Sequence, residues 1–216
     1  MTITIREPGS AFTHLAGIVF TAGAAIPLLI AAYSTNSANI IAGMAVFLLS
    51  MLLLYTASTV YHSVSVGEKK LRIFQKIDHM MIFIMIAGSY TPVCITVLDG
   101  IKGYLLLSSI WILAASGMIL KAIWITCPRW FSSTIYILMG WVCVFVLGDL
   151  YEHMPPAVLG WLLAGGIIYT AGGVIYALKT PLFPQKEYFG NHELFHLFVL
   201  GGSICHFISM FLLCRA

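Results

Sequence analysis

Two histidines, His192 and His196, stand four residues apart at the head of the last apolar stretch of the chain. On a helix this spacing puts both imidazoles on one face, a single turn apart. Paired imidazoles suit a first-row metal, most often zinc. Pro184, Lys186 and Glu187 precede the pair, and almost nothing but apolar residues follows it as far as Cys214. The pair is therefore expected just inside a membrane boundary, facing the protein interior, where ionisable side chains are costly and by default mark function. The plain alternative is two histidines hydrogen-bonded to neighbouring helices. The positions of the other polar residues bear on which reading holds.

Composition sets the environment. The 216 residues are 60% hydrophobic and only 9% charged, against roughly 25% charged in soluble domains, and the mean hydropathy is +0.97. These values describe an all-α integral membrane protein. The length suits a single domain over 1–216, a bundle of seven spans of about 20 residues each. Arg6 and Glu7 ahead of a long first span do not resemble a cleavable signal. The five cysteines are odd in number and scattered, so they form neither a disulfide framework nor a Cys-x-x-Cys metal site. With no nucleic-acid motif and no glycine-rich phosphate loop, the expected partner is the lipid bilayer.

The expected spans run over about 12–33, 40–61, 77–98, 104–124, 132–150, 157–178 and 192–213, with a basic loop holding Lys69, Lys70, Arg72 and Lys76 before the third. Nine Lys and Arg residues (Arg6, Lys69, Lys70, Arg72, Lys76, Lys121, Arg129, Lys179 and Lys186) then share one side, and two, Lys102 and Arg215, the other. By the positive-inside rule the N-terminus is cytoplasmic and the C-terminus outside. Glycines within the spans, among them Gly17, Gly23, Gly43, Gly88, Gly165, Gly166, Gly172 and Gly202, are expected at close helix contacts.

This orientation turns sequence position into depth. His14, His62, His79, His192 and His196, five of the seven histidines, gather at the cytoplasmic level together with Asp78. Chance placement would scatter them, which favours a shared polar site. The simplest ligand set is His62, His192 and His196 around one zinc, with water in the fourth position as in catalytic rather than closed sites. Asp78 either binds the metal directly or accepts a hydrogen bond from that water as its base, and three imidazoles already matching an open-site set favour the second role. Ser58, one turn before His62, either donates a hydrogen bond at the reacting centre or bonds back to its own helix. His79 points about 100° away from Asp78, which suits a supporting or packing role. His206 lies about 15 Å beyond His196 along the helix, too far to share the metal.

The chain resembles the hemolysin III family, the bacterial branch related to progestin and adipoQ receptors and more distantly to alkaline ceramidases. The resemblance covers essentially the whole chain. It is carried by Glu7-Pro8 with His14, by Ser58-Thr-Val-Tyr-His62, by Asp78-His79 followed by Ala87-Gly-Ser-Tyr-Thr-Pro92, and by His192-x-x-x-His196. The family's opening motif usually has Asn where this chain has Ser10. The resemblance implies a seven-helix bundle in a bacterial plasma membrane, a zinc held by His62, His192 and His196, and Asp78 and Ser58 beside its water. Members of the wider group are regarded as lipid amide hydrolases, whereas bacterial members were named for lysis of red cells and some are linked to membrane homeostasis.

Two functions are thus expected in competition. One is a zinc-dependent hydrolase of lipid amide or ester bonds, taking an acyl lipid as substrate. The other is a non-enzymatic membrane protein, a pore-forming lysin or a sensor of membrane state, in which zinc is structural. A third reading, prompted by His192-Glu193-Leu-Phe-His196 and its formal match to the zinc-protease pattern, is set aside because Asp78 offers a competing base.

Overall fold

A computed structural model describes residues 5–98, 100–178 and 188–216. Pro184, Lys186, Glu187 and Lys179 lie outside the described residues. The described chain is helical, and among the described residues there is no strand element. Its helices are α1 (Pro8–Ser34), α2 (Ala38–Ser63), α3 (Glu68–Thr96), α4 (Gly100–Ile123), α5 (Arg129–Gly140), a short 3-10 turn (Trp141–Val146), α6 (Leu147–His153), α7 (Pro156–Ala177) and α8 (Asn191–Leu213). With α5, the 3-10 turn and α6 taken as one span, seven segments are long and apolar enough to cross a bilayer.

Lipid as solvent explains the surface. Val19, Ile26, Ile30, Ile101, Ile112, Ile123 and Phe145 are all well exposed, which on a soluble protein would be an aggregation liability. Serines, histidines and one aspartate turn inward instead. The helices pack as a closed ring in which α1 meets α2, α2 meets α3, α3 meets α5, α5 meets α7, α7 meets α8 and α8 returns to α1. Helix α4 packs chiefly against α3 and also touches α5, where Lys121 donates to Ser132. Fully buried Leu28, Met44, Phe47, Met51 and Tyr55 fill the α1–α2 side.

Close approach is visible at Gly17, where an added Cβ would fall 2.4 Å from the Tyr55 ring. Gly43, Gly88, Gly165, Gly172 and Gly202 are similarly hemmed in, but Gly23 and Gly166 face open space. The glycine expectation therefore holds at most of those positions and fails at these two.

Two local expectations change. The basic residues Lys69, Lys70, Arg72 and Lys76 are not in a loop but in the first turns of α3, after a connection of only four residues, 64–67. Glu, Lys, Arg, Gln and Leu are strong helix formers, so the helix continues past the apolar span, and Lys76 reaches across to the carbonyl of Ala122 near the end of α4 (2.5 Å). The fifth span is broken, not continuous. At the break the Tyr90 hydroxyl donates to the Gly140 carbonyl (2.6 Å) and accepts from the Cys143 amide (2.9 Å). A side chain thereby occupies backbone groups that would otherwise continue the α-helical ladder.

Candidate metal centre

The centre is built by the ends of three helices. Helix α2 ends at Ser63, leaving its last carbonyls without intrahelical donors. The segment before α1 supplies them: the Glu7 amide donates to the His62 carbonyl (2.9 Å), the Arg6 amide to Ser63 (3.4 Å) and the Arg6 guanidinium to Tyr61 (2.7 Å). This backbone pairing brings the Glu7 carboxylate onto Nδ1 of His62. The hydrogen bond from His62 holds the Glu7 carboxyl below the ordinary carboxylate range, against the opposing effect of its partial burial.

With Nδ1 of His62 engaged, its Nε2 is left to face inward, 3.4 Å from Nε2 of His192. His196 is oriented in the same way. Its Nδ1 lies 3.3 Å from the Ser10 carbonyl and 3.1 Å from the Thr13 hydroxyl, both on α1. His14 stacks on the His196 ring at 3.7 Å between centroids and 14° between planes. One ligand atom from each of His62, His192 and His196 lies within 4.8 Å of the other two. His62 and His196 are almost wholly buried.

These residues fit a zinc ion. Zn–N bonds of about 2.0–2.1 Å in a tetrahedral site place neighbouring nitrogens about 3.3 Å apart, and the His62–His192 separation already matches. Two of the imidazoles also have their outer nitrogens fixed by a carboxylate or a carbonyl, the arrangement that sets tautomer and ring direction in metal-ligating histidines. Buried polar atoms without partners point the same way: Ser58 Oγ and both nitrogens of His14 make no hydrogen bond. Such atoms are costly unless something occupies the space they face.

A cavity of about 140 Å³ opens beside the cluster and is walled by His14, Ser58, Asp78, His79, His192 and His196 at one end. Beyond them the wall is mainly apolar, with Ile82, Ile86, Ile137 and Val199 among its side chains. Asp78 is buried and stands apart from the three converging imidazoles, its Oδ2 3.2 Å from Nδ1 of His79. His79 also approaches the Tyr176 hydroxyl (3.4 Å). Ser58 and Asp78 thus share the cavity wall with His192 and His196, while His62 touches the cluster from behind that wall.

Glu193 is occupied elsewhere. One of its oxygens accepts from the Ser10 hydroxyl (2.5 Å) and the other from the Gly190 amide (2.8 Å). It ties α8 to α1 and caps its own helix, so both of its oxygens are engaged as a brace. Sequence reasoning assigned no role to Glu7, Ser10 or Thr13 as supports for the cluster. A signal for part of this set was present, because Ser10 and His14 are four apart and share a face of α1, with Glu7 just ahead of its first turn.

The chain is similar to known proteins over nearly its whole length. The family model described as haemolysin-III related matches residues 3–207. Hemolysin-3 of Bacillus cereus is 36% identical over 211 residues, covering 97% of this chain and 93% of its own length. The hemolysin-3 homolog of Bacillus subtilis is 35% identical over 212 residues, covering 98% of this chain and 96% of its own. An adiponectin receptor protein of Drosophila melanogaster is 24% identical over 222 residues, covering 93% of this chain but 49% of its own.

Proposed function

The chain belongs to the haemolysin III family of multipass membrane proteins, and from that premise we propose that it is a zinc-dependent hydrolase of lipid amide or ester bonds. The observation that carries the reading is the convergence of His62, His192 and His196 on one point at the polar end of an otherwise apolar cavity. A zinc ion held by these imidazoles would polarise a carbonyl and lower the pKa of water to about 7.

The remaining chemistry falls to side chains. Asp78 takes the proton of the attacking water and returns it to the departing nitrogen or oxygen, with the His79 ring beside its carboxylate. The Ser58 hydroxyl, which has no other partner, donates to the carbonyl oxygen as charge develops there. The apolar wall takes the acyl chain. Arg6, Lys69, Lys70, Arg72, Lys76, Lys121 and Arg129 lie at the cluster's end of the bundle. By the positive-inside rule this end faces the cytoplasm of a bacterial cell and the C-terminus faces outward.

Metal analysis of the purified protein, beside an assay of fatty-acid release from a panel of ceramides, N-acyl amines and acyl esters, tests the reading. Stoichiometric zinc and release lost in Asp78→Asn are expected. Zinc that stays bound while no lipid turns over removes the enzyme and leaves the second reading. The support for that second reading is that the cluster joins α2 to α8 over a brace from α1. A cation there would lock three helices together without any reaction, as a membrane sensor or a lysin would need. Ion flux through protein-bearing liposomes distinguishes the lysin.

A further inference from the structure

His206 lies on α8 ten residues past His196, about 15 Å along the helix axis. It is 8% exposed, and neither ring nitrogen makes a hydrogen bond. The Leu162 backbone approaches the ring without meeting hydrogen-bond geometry. Packing is cut away to admit the ring: a Cβ on Gly165 would fall 2.2 Å from His206 Cδ2. A bulky polar side chain is thus accommodated in the middle of the bundle and left without a partner, which is costly unless something meets its polar atoms.

Its neighbours cannot relieve it, because they satisfy one another. The Tyr55 and Tyr169 hydroxyls both meet Ser203 Oγ, at 2.6 and 2.8 Å. The Trp141 indole donates to Thr170 (2.8 Å). The Tyr90 hydroxyl serves Gly140 and Cys143, and Ser89 bonds to its own helix at Ile86. What His206 does face is open space. It lines the cavity that begins at the imidazole cluster and also a second cavity of about 60 Å³, and Ser89, Tyr90, Gly140, Trp141 and Gly166 line both as well. Apart from Cys143, the rest of the second cavity's wall is aliphatic, from Val93 and Leu106 to Leu162 and Leu163.

We propose that His206 is a second polar station in a continuous lipid site, recognising a hydroxyl carried in mid-chain by an acyl lipid whose head lies at the imidazole cluster. This rests on the reading that the cavity takes an acyl chain, and adds to it the class of chain. A neutral imidazole offers one donor and one acceptor, which a hydroxyl complements with its own acceptor and donor. A charged group is disfavoured, because the only other ionisable side chains lining the second cavity among the described residues are Tyr90 and Cys143, whose hydroxyl and thiol are both spent on the Gly140 carbonyl. An unsubstituted chain would fill the same space and leave His206 unpaired. The station thus selects by the cost of an unmet hydrogen bond.

Binding of ricinoleate and of oleate to the zinc-loaded protein in nanodiscs decides the matter. The two chains are of equal length, and ricinoleate carries its hydroxyl about eleven C–C bonds from the carboxyl, a reach of about 14 Å once bonds near 1.5 Å are projected along the zigzag of the chain. Ricinoleate is expected to bind about tenfold more tightly, the ratio that one hydrogen bond to a buried, otherwise unpaired group supplies. An oleate chain hydroxylated beside the carboxyl should show no such preference. His206→Leu should bind oleate as the parent does and lose the preference, whereas His206→Gln should keep part of it. Equal affinity of the unaltered protein for ricinoleate and oleate overturns the proposal while leaving the acyl cavity intact, even if His206→Leu fails to fold. Binding of neither chain overturns both. None of these outcomes depends on whether the protein hydrolyses anything.

Discussion

His62 and His192, 130 residues apart in the chain, present their Nε2 atoms to each other across 3.4 Å. The contact is made possible by a carboxylate on the far side of His62. Glu7, tied by its amide to the end of α2, engages Nδ1 and thereby leaves the other nitrogen to the interior. The imidazole direction is thus set by the segment before the first helix.

That relationship makes Glu7 a sensitive position. Glu7→Gln keeps the shape but removes the charge that fixes the His62 tautomer, and a ten- to hundredfold loss of zinc affinity is expected, the usual effect of removing such a partner. Competition against a graded series of chelators measures it. An unchanged affinity would show that the carboxylate does not support the site. His192→Ala should lose the metal outright, and with it the thermal stabilisation that saturating zinc gives the parent protein.

Asp78→Asn separates metal binding from chemistry. Asp78 stands outside the three converging imidazoles, so zinc content should remain near one per chain. Fatty-acid release should fall by roughly a hundredfold to ten-thousandfold, the range for loss of a general base. Loss of zinc in this variant would instead make Asp78 a ligand.

Ser58→Ala should cost activity without costing stability. The hydroxyl is buried and makes no hydrogen bond, so its removal breaks nothing in the resting protein and relieves a desolvated group. The melting temperature should hold or rise slightly, while turnover falls by about a hundredfold or more, as for loss of an oxyanion donor. A serine that only packs would give the first result without the second.

Glu193→Gln should behave in the opposite way. Its two oxygens take the Ser10 hydroxyl and the Gly190 amide, and weakening both charge-assisted bonds should lower stability by about 1–3 kcal/mol. Zinc content and turnover per folded molecule should be kept. A loss of turnover with zinc retained would restore Glu193 as a base.

The spans, their number and the level at which the histidines gather were legible in the sequence, because burial in lipid forces long apolar segments and makes each intramembrane ionisable group conspicuous. His192 and His196 declared their shared face through helical spacing alone. Helix ends were less legible: the basic residues before the third span belong to α3, since charged helix formers extend a helix beyond the bilayer core as readily as they form a loop. The break in the fifth span was hidden for a different reason. It depends on the Tyr90 hydroxyl of another helix reaching Gly140 and Cys143, and no local pattern records a partner fifty residues away.

By itself, then, the sequence determined the environment, the seven crossings and the residue types available for chemistry, all of which follow from composition and period. Only the tertiary structure decided which nitrogen of each imidazole faces inward, that Glu193 is spent as a brace and that His206 is left unpaired. Those outcomes hang on hydrogen bonds and ring contacts between distant segments, whose angstrom-scale geometry is fixed when the helices pack.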